Sequence, residues 1–474
     1  MGEYRKTKII CTLGPASDSK EMLVKLAKAG MNIVRLNFSH GTHEHYAEII
    51  STIHEVEDET GINLGILLDT KGPEIRCGVM TNDQLLFKKG DLVLVTNDEV
   101  IGTNERFQIS CPELYKDISI NDYLLIDDGK MRLTVTDRRN NDLVCRVENP
   151  GVIKTKKGVN VPNVHISMPF ISEKDDADLR FGCLMDVDYI AASFVRRPED
   201  ILAIRDIITQ EGKPKIHIMA KIENQEGYDS LESILEVADG VMVARGDLGV
   251  EVSTQFVPIY QKKIIQKANE HGIPVVTATH MLESMMGNPR PTRAEASDVA
   301  NAILDGSDAI MLSGETAAGL YPVESVQTMD TIAKAIEEII PYRDNLEHAK
   351  KTSQKTIQDA IGISVSDSAL TLEKIKAIVA FTQGGSTAKR ISKFRPPVPI
   401  LAVTFTKSTQ HKLAVHWGVI PIFSDIQNEM TNDDELASII AKNYGVKPGE
   451  FVIITAGYPT GEGTANMMKI VEVK

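Results

Sequence analysis

One pattern recurs along most of this 474-residue chain: a short apolar segment, a polar or glycine-rich turn, and a segment with the apolar spacing of a helix. Near-continuous apolar segments of this length are typical of parallel strands covered on both faces. Eight such units predict a closed (β/α)8 TIM barrel rather than an open sheet. The predicted strands are 8–12, 33–36, 64–68, 189–193, 216–220, 240–243, 275–277 and 309–312.

Two stretches depart from this pattern. Between the third and fourth predicted strands, short alternating segments separated by turn residues replace the helical spacing. Beyond the barrel units a second α/β pattern begins, with predicted strands at 375–381, 400–405, 419–423 and 451–455. We therefore expect an α/β protein with three domains: the barrel at 1–71 and 168–345, an inserted small β-barrel domain at 72–167, and a C-terminal α/β domain at 346–474.

The composition limits the compartment and the partners. The chain has 66 acidic and 52 basic residues and a formal net charge of −14. Nucleic acids and membrane surfaces are polyanionic, so this charge disfavours a general binder of either. The sequence contains neither a signal-peptide pattern nor an apolar run of membrane-spanning length. We expect a cytoplasmic protein whose five dispersed cysteines are reduced: Cys11, Cys77, Cys111, Cys145 and Cys183.

Polar and ionisable residues follow six of the eight predicted strands, in the segments 35–41, 69–72, 221–224, 244–247, 277–280 and 313–315. In (β/α)8 enzymes the carboxyl ends of the strands meet at one rim, where the active site lies. A single acid in such a segment is more often a solvated loop residue. Polar and ionisable residues after six different strands are better explained by one shared site.

The residue types at this rim suit phosphoryl transfer. Glu223 and Asp247 can hold a hard divalent cation that keeps positions open for substrate oxygens. Lys221 lies two residues before Glu223 in an extended segment, so both point to the same side. A lysine beside a metal can neutralise a transferring phosphoryl group, and Arg35 and Arg76 offer planar forks for phosphate oxygens.

A second set of side chains follows strands two and three. Its members offer oxygen atoms as ligands and carry one net negative charge. Such a set suits a monovalent cation as well as a divalent one. They are Asn37, Ser39, Asp69 and Thr70.

Six segments resemble the signature blocks of the pyruvate kinase family, in the order found there. They are LNFSHG (36–41), LLDTKGPEIR (67–76), KIENQEG (221–227), ARGDLGVE (244–251), NPRPTRAEASDVANAILDG (288–306) and MLSGETAAG (311–319). The resemblance covers essentially the whole chain. It implies transfer of the phosphoryl group of phosphoenolpyruvate to ADP, which gives pyruvate and ATP in glycolysis. It also implies that the inserted domain is a lid that excludes water.

The resemblance implies a role for each site residue. Magnesium, or manganese, would be held by Glu223 and Asp247. Potassium would be held by Asn37, Ser39, Asp69 and Thr70. The substrate would contact Arg35, Lys221, Gly246, Asp247 and Thr279. The nucleotide would contact Asn37, His40, Arg76 and Lys157. The catalytic residues would be Lys221, Arg76 and Thr279. One departure is His280, where the family more often has Gln.

A glycine-rich turn joins a predicted strand to a helix in the C-terminal domain. Its residues are Thr382, Gly384, Gly385, Ser386 and Thr387. Backbone amides at a helix start can bind an anion, although an ordinary capped turn is the alternative. The resemblance favours an allosteric sugar-phosphate or nucleotide effector here, together with the loop 458–464. It also implies a homotetramer whose interfaces relay effector binding.

Two other functions are open at this point. A magnesium-dependent barrel lyase acting on a keto-acid enolate also needs two acids and a cation. It needs neither a lid nor nucleotide-facing side chains such as Arg76 and Lys157. A catalytically inactive regulatory paralogue is disfavoured because the implied catalytic and cation-binding residues are all present.

Overall fold

The structure, a computed structural model, describes residues 4–424, 433–457 and 465–474. The chain begins with strands and helices in alternation. They are β1 (Lys8–Thr12), α1 (Lys20–Ala29), β2 (Ile33–Asn37), α2 (His43–Thr60) and β3 (Gly65–Asp69). Hydroxyl caps begin both helices, at Ser19 and Thr42, and left-handed glycines end them, at Gly30 and Gly61. Each helix is therefore limited by local sequence signals.

A second sheet is inserted after β3. Its elements are β4 (Ile75–Arg76), β5 (Gln84–Phe87), β6 (Leu92–Thr96), β7 (Arg106–Gln108), α3 (Leu114–Asp117), β8 (Tyr123–Ile126), β9 (Met131–Arg139), β10 (Asp142–Val147), β11 (Gly151–Lys154) and β12 (Gly158–Asn160). Seven strands form one sheet in the order β4-β12-β8-β9-β10-β6-β7, and β11 pairs with β5. The two edges of the large sheet approach at a single bridge between Cys77 and Ile109. The expected small β-barrel is thus a curled sheet around its own apolar core.

The strand and helix alternation then resumes. Its elements are α4 (Glu173–Leu184), β13 (Tyr189–Ala192), α5 (Pro198–Gln210), β14 (His217–Ile222), α6 (Gln225–Asp229), α7 (Leu231–Leu235), β15 (Gly240–Ala244), α8 (Arg245–Glu251), α9 (Val257–His271), β16 (Val275–Ala278), α10 (Arg293–Leu304), β17 (Ala309–Leu312), α11 (Gly314–Ala317) and α12 (Pro322–Glu337).

Eight parallel strands close into a barrel in the order β1-β17-β16-β15-β14-β13-β3-β2. The predicted (β/α)8 barrel is confirmed. Several strands extend one or two residues beyond their predicted ends, so Lys221 lies within β14 rather than after it. The register pairs Asn37 of β2 with Asp69 of β3, which brings their carboxyl ends to one rim.

A third group of elements follows: α13 (Tyr342–Thr352), α14 (Ile357–Thr371), β18 (Ile375–Phe381), α15 (Ser386–Lys393), β19 (Ile400–Thr404), α16 (Lys407–Lys412), β20 (Val419–Phe423), α17 (Asp433–Asn443), β21 (Phe451–Ala456) and β22 (Met467–Glu472). The sheet order is β20-β19-β18-β21-β22. The C-terminal α/β fold is confirmed, but the sequence did not predict β22. This strand is antiparallel to β21 at the sheet edge and is half exposed, so it lacks the continuous apolar run of a buried strand.

The C-terminal α/β region closes the floor of the barrel. Ala414 and Val415, between α16 and β20, pack in the same buried cluster as barrel-interior residues such as Tyr189 and Met219. The hydroxyl of Tyr189 also donates to the carbonyl of His411 at 2.9 Å. Residues of the C-terminal α/β region therefore complete the core of the barrel. Within the described ranges, no helix is long and apolar enough to cross a bilayer.

Candidate active site at the barrel rim

Three charged side chains from different strands meet at the carboxyl end of the barrel. Asp69 of β3 accepts from Nε of Arg35 at 2.6 Å and from Nζ of Lys221 at 3.0 Å, through different carboxylate oxygens. The Asp69 side chain is 1% exposed. Burial alone would raise the pKa of Asp69, but Arg35 and Lys221 outweigh this and lower it. The rim therefore holds a buried anion between two cations.

Lys221 is held by three oxygen groups. Besides Asp69, it donates to the hydroxyl of Ser193 at 2.7 Å and lies 3.2 Å from Oε1 of Glu223. Burial would lower the pKa of Lys221, but Asp69 and Glu223 raise it above its usual value. The ammonium is therefore protonated and held in place. Ser193 follows β13 and was not identified in the sequence, although its position at a strand end was a usable signal.

Glu223 is fully buried. Its Oε2 accepts from the backbone N–H of Phe194 at 2.6 Å. Its Oε1 is near Lys221 but has no aligned hydrogen bond among the described residues. Burial raises the pKa of Glu223 to about 7, and the negative charge of Asp247 contributes in the same direction. Lys221 acts in the opposite direction and lowers the pKa, so the carboxylate is only partly compensated by positive charge.

The donor set at Glu223 and Asp247 fits a hard divalent cation. Such a cation prefers carboxylate oxygens, and the site offers Oε1 of Glu223, which is buried without an aligned hydrogen bond among the described residues, and the nearby carboxylate of Asp247. Asp247 lies in the first turn of α8, directly after β15. The described residues contain no cluster of three or more His, Cys, Asp or Glu side chains suited to a metal.

The four residues predicted to bind potassium lie on and after β2 and β3. Oδ1 of Asn37 accepts from the Ser39 N–H at 3.2 Å, and Oγ1 of Thr70 accepts from the Ser193 N–H at 3.1 Å. Both oxygens of Asp69 already contact cations. The four side chains offer oxygen ligands, but the negative charge of Asp69 is already compensated by Arg35 and Lys221.

The ends of β15 and β16 are joined by the hydroxyl of Thr279, which accepts from the Gly246 N–H at 2.7 Å. Thr279 and His280 both have positive φ, at 67° and 53°. Such a conformation is costly for a β-branched residue and is held only by its surroundings. Arg245 supplies part of this support, since it donates to the Thr279 carbonyl at 2.7 Å and pairs with Asp298 at 2.7 Å. Arg245 is not among the site residues predicted from the sequence.

A cleft of about 520 Å³ separates the inserted sheet from the barrel rim. Arg76, Lys157 and Asp247 line it together. Arg76 makes two hydrogen bonds of 2.9 Å to Glu74, and Lys157 pairs with Asp127 at 2.8 Å. The predicted nucleotide residues Asn37 and His40 lie on the same rim at the end of β2, but they are not among the described residues that line this cleft.

One of the hydrogen bonds that cross the cleft comes from the end of β12. Nδ2 of Asn160, the last residue of β12, donates to Oε1 of Glu251 at 2.7 Å. Glu251 lies one helical turn after Asp247 on α8, and burial raises its pKa. Asn160 thus connects the strand that follows Lys157 to the helix that carries Asp247. No local pattern of residues indicates this contact, because the two residues are 91 positions apart.

The glycine-rich turn of the C-terminal region joins β18 to α15. Gly385 caps the helix in the left-handed conformation, with φ of 87°. Thr382 and Thr387 are buried, whereas Gly384 and Ser386 are exposed. The Thr382 hydroxyl has no hydrogen-bond partner among the residues described. The predicted second loop, 458–464, lies outside the described residues.

Known proteins and protein families match this sequence along almost its whole length. A family model described as "Pyruvate kinase, barrel domain" matches residues 4–326, and one described as "Pyruvate kinase, alpha/beta domain" matches residues 359–471. A protein named pyruvate kinase from Staphylococcus haemolyticus is 52% identical over 472 residues, which cover 98% of this chain and 80% of that relative. The protein of the same name from Geobacillus stearothermophilus is 50% identical over 470 residues, with the same shares covered.

Proposed function

The chain belongs to the pyruvate kinase family, and we propose that its rim site transfers the phosphoryl group of phosphoenolpyruvate to ADP. The products are pyruvate and ATP, as in glycolysis. The observation that carries this proposal is the buried Lys221, fixed between Asp69 and Glu223. The Lys221 ammonium places a positive charge beside the carboxylate of Glu223, which is suited to a divalent cation.

In the transfer, the bond between phosphorus and the enol oxygen breaks, and a bond to an oxygen of the ADP β-phosphate forms. Lys221 offsets the negative charge on the phosphoryl oxygens as they pass between the two. Arg35 and the backbone of Gly246 bind phosphoenolpyruvate, and for this the Gly246 N–H exchanges the Thr279 hydroxyl for a substrate oxygen. The enolpyruvate that remains takes up a proton at carbon to become pyruvate.

Glu223 and Asp247 would hold Mg²⁺ or Mn²⁺, which when bound supplies positive charge to the oxygens of both substrates. Asn37, Ser39, Asp69 and Thr70 would hold K⁺ at the same rim. Arg76 and Lys157 would bind ADP phosphates from the inserted sheet, which acts as a lid that excludes water. To do so, each would exchange its present carboxylate partner, Glu74 or Asp127, for phosphate oxygens.

The remaining parts of the proposal concern regulation and assembly. The turn at Thr382, Gly384, Gly385, Ser386 and Thr387 would bind a sugar-phosphate or nucleotide effector through its backbone amides. The enzyme would act as a cytoplasmic homotetramer. The exposed apolar side chains of Phe256 and Ile259, beside and on α9, are suited to a subunit contact.

The direct test is an assay of pyruvate formation by the purified protein. We expect product only when phosphoenolpyruvate, ADP and Mg²⁺ are all present, and a higher rate with K⁺ than with Na⁺. Pyruvate formation without ADP would instead indicate a lyase or a phosphatase. Folded protein with no turnover would indicate an inactive paralogue. Sedimentation of the same sample tests the tetramer.

A further inference from the structure

A small polar cavity lies beneath the barrel, between the amino ends of β16 and β17 and helix α15. Its volume is about 10 Å³, which is room for roughly one water-sized particle. The ionisable side chains that line it, of the residues described, are Lys389, Lys393, Arg395, His416 and Asp308. It is separate from the rim site, which lies at the opposite end of the strands.

Two polar atoms of these lining residues are buried without a partner in the described part of the chain. They are Nε2 of His416 and Nη1 of Arg395. His416 is 4% exposed, so water outside the protein does not compensate for the missing hydrogen bond. An unsatisfied buried polar atom is costly, and such atoms usually indicate a bound water or ion.

The single carboxylate at the cavity is already occupied. Asp308 accepts from Nη2 of Arg395 at 3.0 Å and from the backbone N–H groups of Val275 at 2.9 Å and Trp417 at 3.2 Å. Lys393 has a different partner, Asp359, at 3.3 Å. Asp308 therefore cannot neutralise the other cations around the cavity.

Lys389 is the cation with no ion pair of its own among the described residues, since Asp239, the acid that acts on its charge, is paired with Arg205. Its Nζ contacts Nε2 of His217 at 3.2 Å, and no ion-pair partner lies within 4.0 Å in the described ranges. Burial, together with Lys389 and other cations nearby, lowers the pKa of His217 well below its usual value, so this imidazole is neutral. Burial lowers the pKa of Lys389 itself to about 8. The residues around the cavity therefore carry an excess of positive charge, and some of their buried polar atoms have no hydrogen-bond partner in the described part of the chain.

We propose that this cavity binds one small inorganic anion of halide size, held by Lys389, Arg395 and His416 between the barrel and the C-terminal α/β region. An anion accepts hydrogen bonds from Lys389 and Arg395, and from the neutral His416 in the tautomer whose Nε2 carries the proton, whereas a neutral water leaves the positive charge uncompensated. A space for one water-sized particle favours a halide over phosphate and larger anions. The bound ion would fasten helix α15 to the amino ends of the barrel strands.

Two measurements on the full-length protein test this proposal. The first is an anomalous difference map, at the bromine absorption edge, from crystals in which bromide replaces chloride. We expect a bromide peak in the cavity, within contact of Lys389. The second is thermal unfolding across a chloride series in which gluconate keeps the ionic strength constant. We expect a saturable rise in Tm, because a ligand that binds only the folded state stabilises it.

The matched variants are Lys389→Met and Lys263→Met. Each removes one positive charge, but Lys263 is exposed on α9 and is not a cavity residue. We expect the chloride-dependent rise in Tm to be lost in Lys389→Met and kept in Lys263→Met. Equal chloride responses in the two variants would overturn the proposal. If Lys389→Met does not fold, the wild-type map decides, and water density without a bromide peak overturns the proposal.

Discussion

The ammonium of Lys221 lies 3.0 Å from the carboxylate of Asp69, and both side chains are almost fully buried at the barrel rim. Their strands, β14 and β3, are not neighbours, since β13 lies between them. The hydroxyl of Ser193, just after β13, contacts both groups. The lysine is thus held in one position before any substrate arrives, which is the condition for electrostatic preorganisation.

Replacing Lys221 with Met tests this arrangement. We expect kcat to fall by roughly 10²–10³-fold, as when one preorganised donor is removed from a transition-state site. The KM for phosphoenolpyruvate should change much less, because the lost interaction forms fully only in the transition state. Steady-state kinetics with both substrates varied measures the two effects separately.

The matched control is Lys215→Met, because Lys215 is an exposed lysine just before the same strand. It should keep wild-type kcat. The CD spectrum and Tm of both variants check folding, since Lys221→Met leaves Asp69 with only one cation. A folded Lys221→Met variant with near-normal kcat would contradict the assigned role.

His411 of α16 joins the C-terminal region to the barrel through Glu57 at 3.2 Å and Asp188 at 3.5 Å. Burial would lower the pKa of His411, but the bonds to Asp188 and Glu57 raise it to about 10. The unfolded value is near 6.5. The stabilisation is therefore complete below pH 6.5 and is lost as the pH rises toward 10, because only the folded state then keeps the proton.

Urea denaturation of wild type and His411→Gln at several pH values checks this dependence. The difference in unfolding free energy should be largest near pH 6 and should shrink steadily at higher pH. His45→Gln, on the exposed face of α2 and without an ion pair among the described residues, is the comparison variant. A difference that does not vary with pH would mean that His411 contributes by packing alone.

The hydrogen bond from Asn160 to Glu251 predicts a role in positioning the lid. Asn160→Ala should lower kcat/KM for ADP by roughly ten-fold, since a hydrogen bond to a charged group contributes about 1.5–3 kcal/mol. The KM for phosphoenolpyruvate should be nearly unchanged. Asn104→Ala removes a lid hydrogen bond far from the barrel, to the carbonyl of Leu86, and should leave both constants unaltered. Equal losses for both substrates would argue against lid positioning.

Val415 is fully buried in the floor of the barrel. Val415→Ala should destabilise the protein by roughly 1–3 kcal/mol, because the cavity it leaves is enclosed by barrel strands. Val79→Ala, at a site that is 50% exposed, should cost less than about 0.5 kcal/mol. Thermal unfolding compares them. If the Val415 variant lost no more stability than the Val79 variant, the floor contact would not stabilise the fold.

The sequence predicted the barrel well, because continuous apolar strands and capped helices are local features. The predicted ends of every barrel strand lie within two residues of the observed ends. Strand β22 was missed because a half-exposed edge strand has little apolar signal. Lys221, Glu223 and Asp69 were also predicted to share a site, since the carboxyl ends of barrel strands must converge.

By itself, then, the sequence determined the order of the elements, the family and the set of polar residues at the rim. Only the tertiary structure decided which of these residues touch. Ser193 and Arg245 act as supports through contacts set by side-chain direction and strand register. Asn160 and Glu251, or Val415 and the barrel floor, meet across fold units far apart in the chain. Such contacts depend on packing over the whole molecule, and no local pattern of residues encodes them.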